Sequence, residues 1–145
     1  MQYAKGSIGR VFLIKFEHGE DLLKEIEKLA DKEGISSATV AIIGALAKAD
    51  IVTGPKKAEL PVTPNFTSFE DGREILGFGT ITRKSDGLSL HIHGSYGRDR
   101  DTLTGCLRKN SEVFITIEAV ITELKDIKAT KKKDDRTGLE LLAFD

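Results

Sequence analysis

Two hydrophobic periods divide the chain. Arg10 to Phe16 (Arg-Val-Phe-Leu-Ile-Lys-Phe) is apolar nearly throughout and dense in β-formers. That is the pattern of a strand covered on both faces, so a central strand is expected. His18-Gly19-Glu20 breaks the run. From Asp21 to Glu33 the period changes. Leu22, Leu23, Ile26, Leu29 and Ala30 recur at three- and four-residue spacing, Asp21 can cap the start and Gly34 can stop the end, which predicts a helix. Ala38 to Ile43 returns to a buried strand, so the chain opens β-α-β, with a right-handed crossover if both strands share a sheet. Gly44-Ala45 reads as a bulge or tight turn, and Leu46 to Val52 as a strand leaving it.

Beyond that bend the two-residue period dominates. Thr53 to Asn65 holds all three prolines and the Lys56-Lys57 pair, the composition of a loop, with an edge segment around Glu59 to Val62. Phe66 to Phe69 leads to a turn at Glu70-Asp71-Gly72, and Arg73 to Thr82 reads as a strand despite Gly77 and Gly79. Ser85-Asp86-Gly87 is a hairpin turn joining it to the next strand. Val113 to Thr122 is the longest β-run, with Val113, Ile115, Ile117, Ala119 and Ile121 on one face and Phe114, Thr116, Glu118 and Val120 on the other. Glu118 in mid-strand fits an exposed edge or a subunit contact better than a buried carboxylate. Glu123 to Arg136, with Lys131-Lys132-Lys133 followed by Asp134-Asp135, reads as a solvated loop. Leu139 to Phe144 is a last short strand, expected to pair early in the sheet or across a subunit boundary.

The chemistry concentrates in Leu88 to Leu107, which contains two of the three histidines and the single cysteine. Leu88, Leu90 and Ile92 alternate with Ser89, His91, His93 and Ser95, so both histidines point to the polar side of one strand. Gly97 to Asp101 is a polar turn, and Thr102 to Leu107 can return as an antiparallel partner. With the hairpin centred between Asp99 and Arg100, Cys106 falls opposite His93, where Cβ atoms lie roughly 4.5–5.5 Å apart. His91 stands one strand repeat away, roughly 6.6 Å along. Two imidazoles and a thiolate so placed can converge on one zinc ion, and a one-residue slip would turn Cys106 away. A His-x-His pair on a strand also arises by chance, and a lone cysteine commonly behaves as a small buried hydrophobe.

Composition narrows the class. A chain of 145 residues is expected to form one domain with a full core. One cysteine permits no disulfide framework and fits a reducing compartment. With no leader-like apolar run and no bilayer-length stretch, the expectation is a soluble, cytoplasmic protein with no membrane partner. Charged residues make up 31% of the chain, yet the net charge is only −1. No global field attracts polyanions, and nucleic-acid binding would need a local patch. His18, at the strand-to-helix turn, reads as a surface residue.

Several landmarks, taken together and in this order, resemble the PPC domain shared by plants and prokaryotes. They are Arg10-Val-Phe-Leu-Ile14, Gly19-Glu-Asp-Leu-Leu23, Ile42-Ile-Gly-Ala45, Glu74-Ile-Leu76, His91-Ile-His93 and Thr104-Gly-Cys-Leu107. The resemblance runs from about Arg10 to Phe144. It implies an α+β fold built on a curved, largely antiparallel sheet with one main helix in the β-α-β start, a single PPC-like domain over residues 1–145, assembled as a homotrimer. Archaeal and bacterial members resembling this chain carry a zinc-like site formed by the His-x-His strand and a third histidine, in a Gly-Gly-His-Leu-type segment. That third position matches Cys106 here, so the implied metal set is His91, His93 and Cys106, a softer set than three imidazoles.

In plants the domain accompanies AT-hook segments, none of which occurs here, and the plant Gly-Arg-Phe-Glu-Ile-Leu motif is matched only as Gly72-Arg73-Glu74-Ile75-Leu76, without the phenylalanine. Phosphate contacts would have to come from Lys128, Lys131, Lys132, Lys133 and Arg136, summed around a trimer. Three readings follow: a homotrimeric DNA-binding or regulatory protein with a zinc site; a zinc-dependent enzyme of acetolactate-decarboxylase-like fold, with Arg10, Glu118 and Tyr96 as helpers; and a sensor holding a small molecule near the metal. The first is the leading expectation.

Overall fold

The computed structural model describes residues 1–144. Among them, eight strands and one helix follow the order β1 (Ser7–Glu17), α1 (Leu22–Lys32), β2 (Ser37–Pro55), β3 (Pro64–Phe69), β4 (Arg73–Lys84), β5 (Gly87–Arg98), β6 (Asp101–Lys125), β7 (Ala129–Lys133) and β8 (Glu140–Phe144). The predicted β-α-β start and the α+β class with a largely antiparallel sheet are present; among the described residues the one parallel pairing links Lys84 of β4 to Lys131 of β7.

Strand β6 is the spine. Its first six residues pair with β5, its middle and end pair with β2, and its end also pairs with β1 on the opposite side. β2 in turn pairs with β4, and β4 with β5. Strands β2, β4, β5 and β6 therefore close a ring, and the sheet curls strongly. Curvature needs kinks, and β2 supplies one at Gly44, where φ is +132° and a Cβ would come within 2.4 Å of the Thr116 carbonyl oxygen.

Inside the curl sits the core. Helix α1 buries Leu22, Ile26 and Ala30 completely against a cluster that includes Ile35, Val40, Ile81, Ile92, Ile117 and Ile121. Asp21 caps the helix by accepting from the Lys24 N–H at 3.3 Å and also accepts from the buried Ser111 hydroxyl at 2.9 Å. Ser111 accepts from the Leu23 N–H, so one hydroxyl joins the cap to β6.

Several expectations are corrected. β1 is not central: it pairs with β6 alone and leaves Val11 and Leu13 exposed. Its apolar outer face therefore has no cover among the described residues. The strands expected on either side of Gly44 are one continuous β2, and the hairpin's return strand and the long β-run are one continuous β6. Ile115 leaves the face assigned to it, because at φ +61° it belongs to a bulge that turns its side chain to solvent. No edge strand forms at 59–62; residues 56–63 are a loop between β2 and β3, closed by the Lys56 N–H donating to Thr63. The lysine run is strand rather than loop, since Ala129 to Lys133 pairs with Glu140 to Phe144. The terminal strand accordingly pairs with β7, not with the early sheet.

Candidate metal centre

The β5–β6 hairpin turns through Asp99 and Arg100, with Arg98 opposite Asp101. Asp99 adopts φ +56°, a conformation that Asp tolerates and tight hairpins demand. This closes the expected register: His93 faces Cys106, Ser95 faces Thr104 and Gly97 faces Thr102. Strand alternation then puts His91, His93 and Cys106 on the outer face of the curled sheet, away from the core residues Ile92 and Tyr96.

The three donor atoms lie within 4.8 Å of one another, and Nε2 of His91 and Nε2 of His93 are 3.1 Å apart. The two rings meet edge to face. A tetrahedral zinc site with Zn–N of about 2.0 Å and Zn–S of about 2.3 Å needs N···N near 3.3 Å and N···S near 3.6 Å. The histidine pair is already at that spacing, and the sulfur must approach by roughly 1 Å, within the range of small side-chain rotations. The donor set thus fits a zinc-like divalent ion.

Burial differs among the three. Both histidines are exposed, whereas Cys106 is buried, with Val52 of β2 as its neighbour across the ladder. Gly105 permits that approach, since a Cβ there would lie 2.5 Å from the Val52 carbonyl oxygen. Burial pushes the Cys106 thiol pKa up, and the positive charges of Arg108 and Lys131 oppose the shift. Partial desolvation also lowers the His91 pKa, helped by Lys131, His93 and Arg108. His91 is therefore held neutral, the state in which imidazole binds a metal.

The other candidate residues lie elsewhere or act otherwise. Arg10 donates to Glu123 and Glu33 at the β1–β6 edge. Glu118 is exposed on the outer face, as expected. Tyr96 is fully buried in the core with its hydroxyl unpartnered among the described residues, so it faces away from the centre. Lys131, Lys132 and Lys133 share β7, and Arg136 sits in the turn that follows. Strand alternation puts Lys131 and Lys133 on one side and Lys132 on the other.

His18 is exposed, as expected, but sequence reasoning did not foresee its contacts: its Nδ1 accepts from the Ile115 N–H at 3.2 Å while its ring meets Phe114 edge to face. No local signal announces a contact across so many residues. A groove of about 700 Å³ also lies away from the histidines, between Phe114, Ala45 and the turns at Asp71 and Asp99. Its two guanidinium groups are engaged, Arg73 by Asp71 and Asp101, and Arg98 by Asp71. Shape therefore does not mark the metal centre; donor chemistry does.

Among solved structures, the fold is similar to a metal-containing protein from Archaeoglobus fulgidus (TM-score 0.87, 26% identity, 99% of each chain covered). It is equally similar to a plant- and prokaryote-conserved protein from Pyrococcus horikoshii (TM-score 0.86, 28% identity, covering 99% of this chain and 97% of that one). A more distant likeness, at 20% identity and TM-score 0.77, is to a candidate DNA-binding protein from Ralstonia eutropha, covering 92% of this chain and 90% of that one. A search of curated protein sequences finds no match. The sequence model of the Plants and Prokaryotes Conserved (PCC) domain, the PPC domain of the resemblance above, matches residues 3–125, and the chain belongs to that family.

Proposed function

We propose that this protein binds one divalent metal ion through His91, His93 and Cys106, zinc by the character of its donors, and does so as a homotrimer. The observation that carries the reading is the convergence of two imidazole nitrogens and one sulfur within 4.8 Å on a hairpin whose register sets them there. The metal-containing relative, similar over the whole chain, supports it. Three protein donors leave zinc an open fourth position, the arrangement of sites that bind an exogenous ligand rather than closed structural ones. A bound ion would supply Lewis acidity at that position. The protein's own part is to present neutral His91 and to hold the sulfur buried beside Val52 of β2.

The homotrimer is supported by the outer face of the sheet. Leu13 stands opposite Val120, Val120 opposite Ala41, and Ile43 opposite Leu76. Leu13, Ile43, Leu76 and Val120 are all exposed, and Leu76 retains 69% of its surface. Contiguous exposed apolar rows of this kind mark an interaction surface.

DNA binding is the second reading. It is favoured by the exposed β7–β8 ribbon, which carries Lys131, Lys132 and Lys133 with Lys128 and Arg136 at its ends. A trimer would repeat the cluster three times, against a net charge of −1 per chain.

Metal analysis of protein purified without chelating tags tests the first reading; one ion per chain supports it, and metal-free parent protein refutes it. Duplex DNA binding that weakens steeply with salt and is lost on neutralising Lys131, Lys132 and Lys133 supports the second. Absence of binding at low salt removes it.

A further inference from the structure

We propose that the metal centre is completed across the homotrimer interface, with the carboxylate of Glu118 from a second copy of this chain as the ion's fourth ligand. The inference rests on the metal and homotrimer readings above and joins them in one site.

The first argument is position. Cross-strand pairing sets Leu13 opposite Val120, Val120 opposite Ala41, Ala41 opposite Phe78, Phe78 opposite His93 and His93 opposite Cys106. Directly opposed residues share a face, so the exposed apolar row of the outer sheet runs without a break into the donor set. Phe78 retains 61% of its surface. Its Cβ lies roughly 4.5–5.5 Å from that of His93, as in any directly opposed pair. A copy that covers Phe78 therefore also covers the ion.

The second is shape. A hollow of about 150 Å³ lies on the same face, lined by Leu13, Ala41, Ile43, Glu118 and Val120. Cyclic trimers close through head-to-tail contacts, in which one patch of a copy meets a different patch of the next. Phe78 is an exposed aromatic on this face, and the hollow is an apolar socket for it. Seating Phe78 there brings the second copy's carboxylate, which lines the hollow, beside the centre at His93.

The third is charge. Glu118 stands opposite Ile43 and Lys15, yet the Lys15 ammonium pairs with Glu17 at 2.9 Å. Glu118 has no ion-pair or hydrogen-bond partner among the described residues. A carboxylate enclosed in an apolar contact is costly unless a cation meets it. A divalent ion with one thiolate and two neutral imidazoles retains a net positive charge, and a carboxylate oxygen is an ordinary zinc ligand at about 2.0–2.2 Å. Within its own chain Glu118 cannot reach the ion. Its row meets β5 only through Ile43 and Leu76, at Ser95. That is three strand spacings, roughly 14 Å at about 4.8 Å each. Ligation is therefore between copies. Zinc also expands to five ligands, which leaves room for an exogenous molecule beside the carboxylate.

The test measures zinc affinity of the full chain by competition with a chromophoric chelator, with light scattering and circular dichroism on the same samples. Glu118→Gln changes an exposed side chain and should keep the parental fold while binding zinc at least ~10-fold more weakly. Coexpression of His93→Ala with Glu118→Gln decides where the carboxylate acts. In an equal mixture, about one site in four of a cyclic trimer joins an intact hairpin to an intact Glu118 on the next chain, and that share should bind zinc at parental affinity. Parental affinity in Glu118→Gln alone, or a mixture that recovers no tight site, overturns the proposal and leaves the metal and homotrimer readings standing. A monomeric parent that holds zinc overturns it together with the homotrimer and leaves the metal. A trimeric parent that binds no zinc overturns it together with the metal.

Discussion

His93 and Cys106 face one another across the β5–β6 ladder, and this one pairing joins the histidine strand to the sulfur. It also sets a test of which atoms hold the ion. His93→Ala and Cys106→Ala should each lower zinc affinity by at least ~100-fold, because each removes a direct ligand and leaves two. Cys106→His should retain metal with three nitrogens and lose the thiolate charge-transfer band of the cobalt form. Inductively coupled plasma analysis and visible spectra of the four proteins decide it; a Cys106→Ala protein with full metal content would exclude the sulfur.

Gly105 is the second pressure point. The Val52 carbonyl oxygen occupies the place of its missing side chain, so Gly105→Ala must push β2 away from β6 beside the candidate ligand. A cost of about 2–3 kcal/mol is expected in denaturant unfolding, together with weaker metal uptake. Gly97→Ala is the control, since its Cβ would meet nothing closer than the Thr102 hydroxyl at 3.6 Å. Equal stability of the two variants would contradict the close packing of the strands.

Acid sensitivity should be concentrated at Glu123. Hydrogen bonds from the Arg10 side chain and backbone hold this carboxyl at a pKa of about 2, against an ordinary value of 4.5. A depressed carboxyl pKa contributes stability that is complete above the unfolded value and is lost as the pH falls toward the folded one. The window therefore runs from about 4.5 down to about 2. Glu123→Gln should flatten the loss of stability across that window and change the neutral-pH unfolding midpoint less than it changes the acid limb. Parallel denaturant titrations of parent and variant measure this. Identical acid limbs would mean that other carboxylates govern acid unfolding.

The hairpin was legible in the sequence because its signals are local: strict alternation of Leu88, Leu90 and Ile92 with the histidines, and a polar turn of fixed length. The helix was legible for the same reason, from Leu22, Ile26 and Ala30 at one spacing and Asp21 as cap. Burial of β1 was not, because Arg-Val-Phe-Leu-Ile reads alike whether its outer face meets the core of its own chain or a partner. Ile115 defeats periodicity, since the bulge that reverses it is stabilised by His18, far away in sequence. The lysine run misleads in another way. As a block of charge it reads as solvated loop, yet it forms strand β7, in which Lys131 is half-buried while Lys132 and Lys133 stay exposed.

The outer face gives the last prediction. Leu76 projects from β4 beside Ile43 of β2, and both are exposed in the single chain. An exposed leucine beside another apolar side chain on a sheet face gains nothing from water, but buried against a second copy each such side chain can contribute about 1.5–3 kcal/mol. Leu76→Glu places a charge in the middle of that contact and should leave the folded monomer little changed, because the side chain is exposed. Light scattering on a sizing column should find the parent at three times the 15.9 kDa chain mass and the variant at the chain mass, with unchanged circular dichroism. A monomeric parent would refute the homotrimer. A Leu76→Glu protein that still runs as a trimer would move the interface to another surface, with the hydrophobic end of the β1–β6 edge, at Ile8 and Val11, as the next place to introduce a charge.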